Sequence, residues 1–132
     1  WLRRLGDGRL RRLLVFRLMN VPLWDELSGG EGTPRAAAAR LGGDGAGLSP
    51  EALRARGWIA RLAEDPATIP RSFLAASSLA AGADPGEGGT LLDANHRAVA
   101  LAAAAAEGRI SPDLPCRLDY AVLGGPCPWV RG

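Results

Sequence analysis

The 132-residue chain carries 16 basic and 14 acidic side chains, a net charge of +2, with only two cysteines and one histidine. A balance this near neutrality excludes a polyelectrolyte character for the chain as a whole, and so few thiols and imidazoles exclude a structural zinc site. Its longest apolar runs, 98–106 and 73–83, fall well short of the roughly 20 residues that cross a bilayer, so no spanning segment is expected.

Bulky apolar side chains are scarce. Although 47% of residues are hydrophobic, aromatics supply only 5% and alanine much of the rest; at roughly 25 cal/mol per Å² an alanine contributes little on burial. Glycine and proline, 18 and 10 residues, exceed a fifth of the chain, which predicts long irregular connections and a stability partly supplied by a partner. All 16 basic residues are arginine. A GC-rich codon supply accounts for that, although arginine's planar fork also suits carboxylates, phosphates and protein interfaces.

Residues 9–19 form the first apolar-basic block, separated from 1–5 by Gly6 and Gly8. On a helical wheel Leu10, Leu13, Leu14 and Leu18 share one side, Arg9 and Arg12 lie away from it, and Arg17 intrudes. Pro22 and the glycine-rich run 28–32 end the element. Thr33 is an N-cap with Pro34 at the first helical position; Ala36 to Ala39 propagate a short helix and Gly42 closes it. Ser49-Pro50-Glu51 opens a helix to about Glu64, with Ala55, Trp58, Ile59 and Leu62 as its buried stripe and Arg54 and Arg61 opposite. Gly57 weakens this helix by about 1 kcal/mol relative to alanine, and Asp65-Pro66 stops it.

A further helix is expected from Pro70 to Ala81, with Phe73, Leu74, Ser77 and Ala80 inward and Gly82 as terminator, followed by a loop over 83–89. Thr90 to Asp93 is a capping-box variant, and Asp93 with Arg97 adds an i,i+4 pair; the helix it starts should run to Glu107 and end at Gly108. Ser111-Pro112-Asp113 repeats the cap signature before Leu114, Leu118 and Val122, while the alternation of Leu118, Tyr120 and Val122 keeps a strand open there. The expected fold is all-α: four to six short helices joined by Gly/Pro-rich loops, in one domain with a basic N-terminal arm (1–32), a helical body (33–123) and an extended C-terminal arm (124–132).

Six of the arginines, Arg3, Arg4, Arg9, Arg11, Arg12 and Arg17, fall within the first seventeen residues, where Asp7 is the only acid. Such a cluster suits an anionic membrane surface, nucleic-acid phosphates or an acidic groove on a partner protein, or is a solvated face whose stems cover leucines. Docking on protein is preferred, because Glu51, Glu64, Asp65 and Asp93 balance the charge downstream. Trp1, Trp24 and Trp129 sit in segments without a strong helix signal, where an indole anchors into a partner's pocket or folds back on its own core.

His96 lies near the Leu92, Val99 and Ala103 side of the 90–107 helix. Its imidazole is a candidate axial ligand for haem or chlorophyll, against the commoner reading of a packed histidine. Cys116 and Cys127, eleven apart, suit a disulfide or two free thiols equally, and their spacing to His96 supports no nucleophile-base pair. The glycine runs 42–47 and 86–89 lack the ending of a phosphate loop, and 83–88 lacks the alternating ligands of a calcium loop. No catalytic residues, metal ligands or required cofactor emerge.

These features point to a non-catalytic accessory or linker subunit that docks by its arms and helices in a multi-subunit assembly, for which a photosynthetic or respiratory membrane complex with peripheral membrane contact is one concrete setting. Alternatives are an arginine-rich nucleic-acid-binding module and a small pigment or cofactor carrier centred on His96. A start at Trp1 fits either a fragment or an import product processed in a plastid or mitochondrion; the cytoplasm of a high-GC bacterium is the alternative location.

Overall fold

The computed structural model describes residues 2–4, 8–78 and 89–131. Trp1, the Gly82 terminator and the loop expected over 83–88 lie outside the described residues. The elements are strand β1 (Leu2–Arg4), helices α1 (Leu10–Leu13), α2 (Pro22–Ser28), α3 (Pro34–Ala39) and α4 (Pro50–Glu64), strands β2 (Ser72–Ser78) and β3 (Thr90–Leu91), helix α5 (Asn95–Ala106) and strand β4 (Arg117–Leu123). The all-α expectation is therefore wrong: the protein mixes helices with a sheet in the order β1-β4-β2-β3.

That sheet has a parallel centre, β2 beside β4, with β3 antiparallel to β2 and β1 antiparallel to β4. Parallel neighbours need a long crossover, and α5 lies within the one from β2 to β4. The register sets Phe73 beside Leu118 and Ala75 beside both Tyr120 and Leu91. All five are buried, as is Phe16, its ring centroid 6.5 Å from that of Tyr120.

The helix expected from Pro70 to Ala81 fails for a physical reason. Ser72 to Ser78, SFLAASS, is so rich in small residues that inward positions at Phe73, Ala75 and Ser77 satisfy a period of two as well as helical spacing. The alternation of Leu118 and Tyr120 is likewise realised as strand. Pro112 follows Ser111 without starting a helix; Leu114 N–H instead closes a turn on Ser111 O.

Helix α5 begins four residues later than the capping box implies. Thr90 belongs to β3, Asp93 Oδ1 accepts from Leu74 N–H at 2.8 Å, and Arg97 donates to the Pro70 and Ser72 carbonyls at 3.0 and 3.2 Å. These side chains splice the start of the helix to the edge of β2 instead of pairing with each other. From Ala98 to Ala102 the helix is buried on every side. Pro22, expected to end an element, occupies the first turn of α2, where its missing N–H costs nothing.

The caps at Thr33 and Ser49 form as their sequence implies. Thr33 Oγ1 accepts from Ala36 N–H and Ser49 Oγ from Ala52 N–H, both at 3.1 Å. The segment 124–131 does not leave the body as a free arm: Val130 is buried, and Arg131 N–H donates to Thr90 Oγ1 at 2.9 Å.

Candidate partner-binding surface

Helix α4 packs on α5 through Ala52, Ala55 and Ile59, all buried. Its start is fixed twice, by the Ser49 cap and by Glu26, whose carboxylate accepts from Ser49 Oγ at 2.9 Å. Further along, the Arg56 guanidinium donates to the carbonyls of Leu41, at 2.8 Å, and Gly43. The face turned away from the core is thus held rigidly, and it is unusual. Trp58 stands 52% exposed there and Leu53 46% exposed.

Trp58 was expected in the inward stripe with Ala55 and Ile59. One residue is about 100° of helix, so position 58 falls a quarter-turn from Ile59, and the neighbours that share its side are Arg54, one turn earlier, and Arg61, one turn later. The Arg61 guanidinium sits 5.3 Å from the centre of the indole. Neither arginine has an ion-pair partner among the described residues. An exposed indole carried on a rigid helix between two unpaired cations is chemically equipped for recognition: a large apolar ring with positive charge around it.

The expected docking residues are dispersed. Arg3 and Arg4 lie on β1. Arg9 and Arg11 converge on Asp113, Arg9 at 3.7 Å, so part of their charge is already answered within the chain. Arg12 is half-buried with its Nε lacking an acceptor, and Arg17 is exposed. Trp24 is only 2% exposed, packed in the chain's own core. Trp129 does project, 56% exposed, although its carbonyl accepts from Asn20 N–H at 2.9 Å.

His96, in the first turn of α5, makes an edge contact with Trp24, ring centroids 4.8 Å apart. Burial pushes its pKa below the ordinary value. Imidazole in this position is packed against an indole. Cys116 and Cys127 are free; burial pushes the Cys116 thiol upward, partly offset by Arg71, which is the opposite of an activated nucleophile. Among the described residues no group of three His, Cys, Asp or Glu side chains gathers as for a metal ion, and no helix is long and apolar enough to cross a membrane.

No family model, curated protein or solved structure matches this chain. The α4 surface is consequently read from its own chemistry. Sequence reasoning assigned Trp58 to the buried stripe and set Arg54 and Arg61 opposite it; their spacing, at i−4 and i+3, puts them on its own side and was the available signal that position 58 faces outward.

Proposed function

We propose that this protein is a non-catalytic subunit that docks on another protein within a larger assembly, and that the outer face of α4 is its principal contact. The observation that carries this reading is Trp58: a tryptophan more than half exposed, on a well-capped helix whose opposite side is fully packed. Tryptophan and arginine are the residues most enriched at binding hot spots, and here one stands between two of the other.

The partner is a protein with an apolar recess for the indole and acidic groups at its rim. Pairing of Arg9 and Arg11 with Asp113 removes part of the cationic cluster on which a nucleic-acid reading depends, so protein is favoured over phosphate. Peripheral contact of the assembly with a membrane is compatible with this arrangement but is not needed by it.

A photo-crosslinking residue placed at position 58, in the protein expressed in its native source, tests the reading. Ultraviolet-dependent adducts to one protein species, absent when the probe is placed at exposed Ala67, are expected. Adducts to nucleic acid, or no adduct from either position, would contradict it.

A further inference from the structure

A second concave surface lies apart from Trp58. Helices α3 and α4 each pack on α5 but barely meet one another, so they diverge above its C-terminal half and leave a trench of about 770 Å³. Ala38 and Ala39 form one wall, Ala60 and Ala63 the other, with Ala102 and Ala106 in the floor. The three helices thus leave an open groove between α3 and α4 above α5.

The walls differ in charge. Arg35, on α3, is exposed and has no acidic partner among the described residues; Glu64, on α4, is exposed and its carboxylate has no cationic one. At the far end Arg109 is already engaged, donating to the Glu64 backbone carbonyl at 2.8 Å and lying 3.6 Å from Glu107. An unanswered cation along one wall and an unanswered anion along the other define an occupant with the opposite order of charges on its two flanks.

We infer that the trench receives an amphipathic α-helix of a partner protein, with bulky apolar side chains on its inner face, acidic residues beside Arg35 and basic residues beside Glu64. Small side chains let helix axes approach closely, and leucine, phenylalanine or methionine at i, i+4 and i+7 would supply the bulk the alanine walls lack. A second copy of this chain fits poorly, because a twofold contact sets the same patch against itself, and two concave patches leave the trench empty. A lipid chain fits poorly as well. Acyl ligands are buried over most of their surface, whereas Ala39, Ala60 and Ala106 leave this trench exposed to water along its length, and nothing in an acyl chain answers Glu64. This inference does not depend on Trp58, which lines no part of the trench.

The test is a displayed library of single helices of about 18 residues, five turns, randomised along one face and its flanks. It is sorted against the wild-type protein and, in parallel, against Ala39→Arg and Ala106→Arg. Both alanines are exposed and lie on different helices, so one variant still reports if the other fails to fold. Enriched helices should carry large apolar residues at i, i+4 and i+7 with acids on one flank, and should bind either arginine variant at least roughly tenfold more weakly. Sorting against Arg35→Glu should exchange the acidic flank for a basic one. Absence of enrichment, equal binding to the blocked variants, or an unchanged flank in Arg35→Glu would overturn the inference. So would displacement of the selected helices by dodecanoate at its free-solution concentration, or a dimer of the wild type that Ala106→Arg dissolves.

Discussion

Arg131 and Asp25 tie the end of the described chain to its second helix: Nη2 of the arginine lies 2.7 Å from Oδ1 of the aspartate. The same guanidinium donates through Nε to Leu18 O at 2.6 Å and through Nη2 to Met19 O at 3.2 Å. Its side chain is only 8% exposed, and Asp25 Oδ1 is itself shielded with no hydrogen-bond donor besides this cation. A buried cation so placed stabilises because three acceptors compensate its desolvation together. Arg131→Met should therefore cost about 2 kcal/mol, chiefly by leaving shielded acceptors unpaired. Urea unfolding of the two proteins measures it, and a difference below about 0.5 kcal/mol, the range of an ordinary surface change, would show that the clamp is idle.

Two glycines should respond to alanine in opposite directions. A Cβ at Gly8 would stand 2.1 Å from the Cys116 carbonyl oxygen, and Cys116 N–H in turn donates to Gly8 O, so the two backbones are locked at a distance only glycine permits. Gly8→Ala should destabilise by about 2 kcal/mol or more. At Gly57, on the outer side of α4, a Cβ meets nothing within 4 Å, and Gly57→Ala should stabilise by up to about 1 kcal/mol through helix propensity. Thermal melts of the pair should shift to opposite sides of the wild type.

Stability should fall as the solution is acidified through the histidine range. His96 is held neutral by burial, with its folded pKa below the ordinary 6.5, so the unfolded chain binds the proton first. The stability that this histidine contributes is then fully present above that ordinary value and is lost as pH drops from 6.5 toward the lower folded pKa. His96→Gln should remove that component. Melting temperatures at pH 7.5 and 5.5 for both proteins check this; an equal drop in the variant would assign the effect to other groups.

Legibility in the sequence followed the locality of each signal. Thr33 and Ser49 announced α3 and α4 because a cap is settled within four residues. The body of α5 was equally plain from 95 to 106, but its start was not, since Asp93 and Arg97 bond to Leu74 N–H and to Pro70 and Ser72 carbonyls about twenty or more residues away. The strand β2 was hidden for a related reason, whereas the alternation of Leu118, Tyr120 and Val122 had kept β4 open. A parallel pair is stabilised by partners far apart in the chain, and β2 has so few bulky side chains that no local period distinguishes it from a helix.

Trp24 and Trp58 show the same limit at the candidate surface. Trp24, beside Pro22 in a segment without a helix signal, was read as a possible anchor, yet α2 folds it onto His96. Trp58, within a strong helix signal, was read as core and faces water. For Trp24 the fold-back reading is the one realised, whereas indole hydrophobicity misplaced Trp58, whose flanking arginines carried the correct information.

Substitution of Trp58 probes the proposed function without disturbing the fold. The most direct measurement is native size fractionation of wild-type and Trp58→Ala proteins in extracts of their source, alongside thermal melts of each purified chain. The account predicts wild type in a fraction much larger than the free chain, Trp58→Ala largely at the position of the free chain, and melts that agree within the few tenths of a kcal/mol expected of a surface change. Wild type and variant eluting together, at whatever size, with matching melts would contradict it.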